Sequence, residues 1–258
     1  MLCRFCSSLT DNYKAPPDSP TWTRWRCKKC SSMGYRTIPK DSELSDIYQK
    51  AWNDSKNSRK GNFASGSTDD KISDSLIKLV LKYSTEKSNF LDYGAGKGSL
   101  AKRFIHNGIK NVSAVEPFGP NPNLQNINWY KSIDSVPDEQ NFNLIFMIEV
   151  IEHLTDPMEQ LKKILNKLNH DGWLFITTPN TKGINAILNG EKWKESNNPT
   201  HINLFSYSGL SALLRKSGFK EIIRVRGTVN YKNSFLSSKF LSLTQLLQID
   251  GGLRVLAR

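Results

Sequence analysis

The stretch NFLDYGAGKGSL, residues 89–100, decides how this chain is read. An apolar run ends in Asp92, and three glycines then follow within five residues, Gly94, Gly96 and Gly98. Glycine has no Cβ, so such a loop lets the backbone approach a ligand that a side chain would exclude. NFLDYG reads as a short strand, and SLAKRFIHNG (99–108) has helical spacing stopped by Gly108. Strand, glycine turn and helix in this order open a doubly wound sheet, whose ligands sit at the carboxyl ends of the strands near the switch point. The spacing G-x-G-x-G differs from the dinucleotide fingerprint and from the phosphate loop, despite Lys97-Gly98-Ser99.

Downstream, strand and helix patterns alternate. NVSAVEP (111–117) is a strand that ends in Glu116, twenty positions beyond Gly96. A carboxylate there can accept both hydroxyls of a ribose. Together with a close-approach turn it suits an adenosine ligand without a pyrophosphate. FNLIFMIEV (142–150) is apolar on both faces, as a central parallel strand should be. DPMEQLKKILNKLNHDG (156–172) reads as a helix with Asp156 as N-cap, Pro157 at N1 and Glu159 at N3. GWLFITTPN (172–180) is the next strand, and SYSGLSALLRKSGF (206–219) a helix begun by Ser206 and stopped by Gly218. KEIIRVRG (220–227) and GGLRVLAR (251–258) read as two last strands. KISDSLIKLVLKY (71–83) has helical spacing ahead of the first strand. The pattern predicts an α/β fold: a Rossmann-like, doubly wound, mostly parallel sheet of about seven strands.

All four cysteines lie in the first thirty residues, as Cys3-x2-Cys6 and Cys27-x2-Cys30. Two such knuckles can wrap four thiolates around one tetrahedral zinc. With no secretion signal at the start of the chain, disulfides are not expected and a cytoplasmic location is. The segment 1–40 is too short to build its own core, so metal would supply its folding energy, with Trp22, Trp25 and Tyr35 packed around it. The expected domains are a zinc ribbon over 1–40, a helical and polar linker over 41–70 and an α/β domain over 71–258. DSELSDIYQKAW (41–52) has a helical pattern and residues 53–70 are polar.

The net charge of +12 raises the prospect of an RNA partner, but the Lys and Arg residues are scattered. The ribbon itself holds eight of them, including Arg24, against Asp11 and Asp18. No run of about 18 apolar residues predicts a membrane span. The oligomeric state is not written in the sequence.

LDYGAGKGSL, AVEPFG, FNLIFMIEVIEHLTDP and GWLFITTPN resemble, in order and spacing, the successive motifs of class I S-adenosylmethionine-dependent methyltransferases. The resemblance covers about residues 72–258 and implies S-adenosyl-L-methionine as cofactor. It implies that Asp92, Tyr93, Gly94, Ala95 and Gly96 face the methionine portion, that Glu116 takes the ribose hydroxyls, and that Pro117 and Phe118 lie near the adenine. Ile148 and Glu149 would border the sulfonium. The acidic adenine partner of the family has no clear equivalent, Asp134 being a weak match.

EVIEH (149–153) supplies Glu149, Glu152 and His153, and His201 lies just ahead of a helix in NNPTHINLFSYSGLSALL. Two carboxylates and two histidines make a plausible second metal set, for magnesium. The arrangement is similar to quinone-biosynthesis O-methyltransferases and to small-RNA 2′-O-methyltransferases. The ribbon and HINLFSYSGL resemble sugar C-methyltransferases, in which the histidine would act as a base. Catalytic roles therefore fall to His201, Glu149 and His153; His201 is either base or ligand, since one nitrogen cannot be both. The same residues also admit a plainer reading, as loop caps and helix packing. Asn180 is a substrate-binding or turn residue, and Trp193 stacks on a substrate ring or closes a small core. The expected function is methyl transfer to a small molecule, a sugar or glycan precursor. The alternatives are an RNA 2′-O-methyltransferase with a divalent metal and a non-catalytic zinc- and nucleotide-binding module.

Overall fold

The computed structural model describes residues 1–14, 22–40, 42–47, 85, 87–225 and 251–258. The helix expected at 71–83 and the polar stretch 53–70 lie outside the described residues; of the helix expected at 41–52, residues 42–47 are described and are helical.

Strands β1 (Thr10–Tyr13), β2 (Arg24–Cys27) and β3 (Met33–Tyr35) form an antiparallel ribbon. The remaining chain contributes β4 (Asn89–Tyr93), β5 (Asn111–Val115), β6 (Ile127–Tyr130), β7 (Phe142–Ile148), β8 (Leu168–Pro179), β9 (Asn203–Leu204), β10 (Ile222–Arg224) and β11 (Gly252–Ala257). Among the described residues after 85, the α-helices are α1 (Ser99–His106), α2 (Pro157–Asn166), α3 (Ile184–Asn189), α4 (Lys194–Asn197) and α5 (Tyr207–Lys216).

The large sheet has seven strands in the order β10-β11-β8-β7-β4-β5-β6. β4 to β8 pair in parallel, and β11 alone runs antiparallel to its neighbours β8 and β10. The chain moves outward from β4 through β5 to β6, then returns to place β7 on the other side of β4. The switch point therefore falls between β4 and β7, beside the glycine loop.

Alternation along the strands serves both faces of the sheet. Phe90, Phe146 and Phe175 pack with Phe104 and Ala101 of α1. Their neighbours Leu91, Ile145 and Leu174 join Leu161 and Ile164 of α2 and Leu213 and Leu214 of α5. The expected caps are present: Asp156 Oδ1 accepts from Glu159 N at 3.0 Å, and Ser206 Oγ accepts from Gly209 N at 3.1 Å.

One boundary differs from the expected one. α2 stops at Asn166, and the stretch read as its continuation already belongs to β8. The carbonyl of Lys167 accepts from Phe142 N, and Leu168 pairs with Phe142 across a bulge. Gly172 passes so close that a Cβ there would lie 2.7 Å from the Phe142 carbonyl oxygen. The glycine thus marks a tight crossing inside the strand rather than its start.

The ribbon is joined to the rest of the chain by pairing as well as by packing. β3 pairs with β9, Met33 opposite Leu204 and Gly34 opposite Asn203. Phe5 lies 4.7 Å from Phe205, ring to ring, and Trp25 and Tyr35 are fully buried. Among the described residues no helix is long and apolar enough to cross a membrane.

Candidate active site and zinc centre

The glycine loop is hooked onto the end of β5. The amides of Gly94 and Ala95 both donate to the Val115 carbonyl, at 2.8 and 3.0 Å. All three loop glycines have positive φ, but the need for glycine differs between them. A Cβ on Gly94 would sit 2.4 Å from Val150 Cγ2, so this glycine makes room for the protein itself. A Cβ on Gly96 would meet nothing within 4 Å and would project into open space. Of the two, Gly96 is the one whose bare backbone borders open space.

Glu116 is tied to this loop across twenty residues. Its Oε2 accepts from Gly96 N at 2.8 Å, and its Oε1 accepts from Phe118 N at 2.9 Å and Gly119 N at 3.1 Å. The carboxylate is thereby fixed at the carboxyl end of β5, beside the open face of Gly96. Asp92 is buried at the end of β4, Ile148 is partly buried at the end of β7, and Pro117 and Phe118 are exposed. Tyr93 turns away, its hydroxyl donating to Gln160 Oε1 at 2.9 Å, so only its backbone borders the loop. Asp134 is ion-paired with Lys163 at 2.8 Å, which argues against it as an adenine partner.

The EVIEH segment leaves β7 in a strained turn. Glu149 has φ 54°, and its side chain accepts from Thr177 Oγ1 at 2.8 Å. Ile151–His153 forms one 3-10 turn that drives Glu152 inward. Glu152 is fully buried; Oε2 accepts from Thr178 Oγ1 at 3.0 Å and Oε1 has no hydrogen-bond partner. Burial, and then the charge of Glu149, raises its carboxyl well above the usual range.

His153 Nδ1 lies 3.0 Å from the Thr200 carbonyl. A carbonyl only accepts, so Nδ1 carries the proton and Nε2 the lone pair. Burial holds this imidazole down to about 4. The His201 ring lies 4.8 Å away at 75°, and its Nδ1 is 3.4 Å from Glu195 Oε2. Burial, then the neighbouring His153, keeps His201 well below its ordinary value. Both rings are therefore neutral at pH 7.

Glu152, His153 and His201 bring one ligand atom each to within 4.8 Å of one another. Glu149 falls outside this group, and its carboxylate accepts from Thr177 Oγ1. Two histidines and one carboxylate form a more nitrogen-rich set than magnesium prefers, and one closer to zinc, iron or manganese chemistry. The two expected substrate residues have these surroundings. Asn180 is buried, with its Oδ1 accepting from Lys182 N at 3.0 Å. Trp193 closes a small core with Met33, Ala186 and Leu204. Sequence reasoning overlooked Glu195, which carries no motif, the side-chain roles of Thr177 and Thr178 within GWLFITTPN, and the buried part played by Arg24.

The four cysteines converge. Cys3 Sγ lies 3.9 Å from Cys30 Sγ, and Cys6 Sγ lies 3.4 Å from Cys27 Sγ. Four sulfurs at zinc-bond length around a tetrahedral ion lie about 3.8 Å apart, so the geometry fits zinc. None is in a disulfide. The hydrogen bond with Cys3 draws the Cys30 thiol down to about 4 and pushes Cys3 up, which suits shared thiolate character.

With this geometry in view, the comparisons with known proteins agree. The sequence model of the methyltransferase-domain family matches residues 66–223, and the chain belongs to that family. Its sheet, with one antiparallel strand beside the edge, is the Rossmann-like fold of the class I S-adenosylmethionine-dependent methyltransferases. The 1,6-didemethyltoxoflavin N1-methyltransferase of Burkholderia thailandensis, solved with S-adenosylhomocysteine, superposes with a TM-score of 0.58. That superposition covers 90% of this chain and 96% of the other, at 14% identity. The tRNA U34 carboxymethyltransferase of Idiomarina loihiensis is 25% identical over 148 residues, 51% of this chain and 45% of its own. The mitochondrial ubiquinone biosynthesis O-methyltransferase of Candida albicans is 37% identical over 49 residues, 19% of this chain and 15% of its own. The chain thus matches less than half the length of either curated relative.

Two predictions follow from the loop and the histidines. Gly96→Ala should weaken S-adenosylhomocysteine binding at least about tenfold while costing only about 1 kcal/mol of stability. Gly94→Ala, which meets Val150, should cost about 2 kcal/mol or more. Calorimetric titration and urea unfolding separate the two effects. The second concerns pH. His153 binds its proton near 4 when folded and near 6.5 when unfolded, so the unfolded chain is protonated first. Stability should therefore be full above pH 6.5 and fall as pH drops toward 4. In His153→Asn, which keeps a donor for the Thr200 carbonyl, that slope should be shallower in urea titrations at pH 7 and pH 5.

Proposed function

We propose that this chain transfers the methyl group of S-adenosylmethionine to a small-molecule acceptor, a sugar or glycan precursor. The observation that carries the reading is the buried His153–His201 pair next to the glycine loop. The catalytic turn and the cofactor loop touch through Val150 and Gly94. A buried site of this kind suits a small acceptor that can be enclosed away from water. The docked ribbon, packed against the segment that bears His201, supports the sugar assignment by its layout.

S-adenosylmethionine supplies an electrophilic methyl group on its sulfonium. The chain must hold it, align the acceptor and take the proton that the acceptor loses. Gly94 to Gly96 and Asp92 border the methionine portion, with Tyr93 contributing only backbone. Glu116 meets the ribose, Pro117 and Phe118 the adenine, and Ile148 with Glu149 the sulfonium side. His201, neutral at pH 7, is the base. Glu195, 3.4 Å from its Nδ1, is placed to steady the imidazolium that forms, as the acid of a catalytic triad does. Cys3, Cys6, Cys27 and Cys30 would hold a structural zinc, and a four-thiolate site of this kind suits the cytoplasm.

A second reading has its own support. Glu152 Oε1 is buried without a hydrogen-bond partner, in a three-residue group able to hold a metal. With the RNA relatives and the net charge of +12, this favours a metal-dependent RNA methyltransferase, in which His201 would be a ligand and not a base.

Nucleotide sugars, phenolic small molecules and total RNA should be screened for labelled methyl transfer, with and without magnesium, manganese or a chelator. Transfer to a sugar that survives chelation supports the first reading. Metal-dependent transfer to RNA, with steep salt sensitivity, would replace it by the second. His201→Ala should lower transfer at least about a hundredfold with S-adenosylhomocysteine affinity near normal; retained activity would remove His201 as base. S-adenosylhomocysteine binding without transfer to any acceptor would point to a non-catalytic module. Cys27→Ser should lose the zinc seen by elemental analysis and lower the melting temperature, whereas unchanged metal content would refute the four-thiolate site.

A further inference from the structure

We infer that Arg24 is a positioning residue for the His153–His201 pair, because it grips the backbone of the segment that carries one ring and orients the other. The functional weight of this inference rests on the reading of that pair as part of the active site.

Arg24 lies on β2 of the ribbon, far from both histidines in sequence, and is fully buried. Its Nε donates to the Ser196 carbonyl at 3.0 Å, its Nη1 to the His201 carbonyl at 2.7 Å and its Nη2 to the Asn198 carbonyl at 3.1 Å. Nη2 also donates to the Tyr35 hydroxyl at 3.1 Å, and the guanidinium lies 4.1 Å above the Tyr35 ring. That hydroxyl in turn donates to the Pro199 carbonyl at 3.0 Å. Four carbonyls between Ser196 and His201 are thus held by two neighbouring ribbon side chains.

The gripped segment sets both imidazoles. The Thr200 carbonyl accepts from His153 Nδ1 and so fixes the tautomer of that ring. His201 grows from the next residue, whose own carbonyl Arg24 holds. One planar fork therefore acts on the ring bearing the proposed base and on the hydrogen bond that orients its neighbour. A lysine, with one compact ammonium, cannot reach three carbonyls set around a guanidinium plane.

The electrostatics agree with the geometry. Among the described residues Arg24 forms no ion pair; carbonyl dipoles and an aromatic face meet its charge. Burial lowers it only to about 10, so it stays a cation at neutral pH. Its field adds to the influences that keep His201 unprotonated. An apolar side chain of similar size would fill the same space without orienting anything.

The test compares the wild-type chain with Arg24→Lys and Tyr35→Phe, each labelled with 15N-histidine. The protein has 4 histidines, and His106 and His170 are exposed and distant in role, so they serve as internal references. Long-range proton–nitrogen spectra report the tautomer of each ring without any acceptor or turnover. In the wild type His153 should show its proton on Nδ1. In Arg24→Lys the His153 and His201 signals should move, with the fixed tautomer of His153 lost, while His106 and His170 stay in place. Bound zinc should remain near one per chain, and S-adenosylhomocysteine affinity within about twofold. Tyr35→Phe, which loses only a hydroxyl, should move the same two signals by a smaller amount. It decides the matter alone if Arg24→Lys does not fold. All four signals unmoved in a folded variant would overturn the inference. Failure of the wild-type chain to bind S-adenosylhomocysteine would instead count against the methyltransferase reading, with the histidine signals still readable.

Discussion

The contact between Gly94 and Val150 governs the spacing of everything at the switch point. The loop after β4 and the turn after β7 cross there with no room for a single extra carbon. On one side of the crossing lie Gly96 and the carboxylate of Glu116; on the other lie Glu149, Glu152 and His153. The spacing between the glycine loop and the acid–histidine group thus depends on the absence of one methyl at Gly94. The strained φ of Glu149 belongs to the same constraint, since the chain must turn sharply to bring Val150 over the glycine.

Around this crossing the polar groups are arranged in two opposed ways. Glu116 is saturated with backbone donors, three amides on two oxygens, which keeps it fixed before any ligand arrives. The buried group of Glu152, His153 and His201 is left partly unsatisfied. Buried polar atoms without partners are costly, and such cost concentrates where a site awaits a ligand or a reaction. The first arrangement suits a rigid cradle, the second a place where protons or a metal are handled.

Much of this was legible in the sequence. The glycine spacing, the carboxylate twenty positions on and the caps at Asp156 and Ser206 are local signals, and local structure honours them. The paired cysteines announced their own convergence. Other features depend on contacts that no local pattern encodes. β6 is four residues at a sheet edge with no apolar run, and β9 is two residues held extended by tertiary pairing with β3. The start of β8 was hidden because LNHDG lacks strand propensity and is held extended by pairing with Phe142. Arg24 reads as one more cation of a basic ribbon until tertiary structure places it under the backbone of residues 196–201. The packing of Trp193 with Met33, Ala186 and Leu204, and the hydrogen bond from Lys182 N to Asn180, likewise join residues that no local pattern pairs.

The β3–β9 pairing also carries a consequence for biosynthesis. The last strand of the ribbon sheet lies about 170 residues downstream of its partner in the chain, Gly34 opposite Asn203. At ribosomal elongation rates of 5–20 residues per second, the emerging knuckles wait roughly 10 seconds or longer for the segment that covers their edge. During that interval the cysteines and an unpaired strand are presented to the cell together. The nascent ribbon edge is thus open to mispairing with another chain, and the arrival of Asn203 and Leu204 ends that exposure.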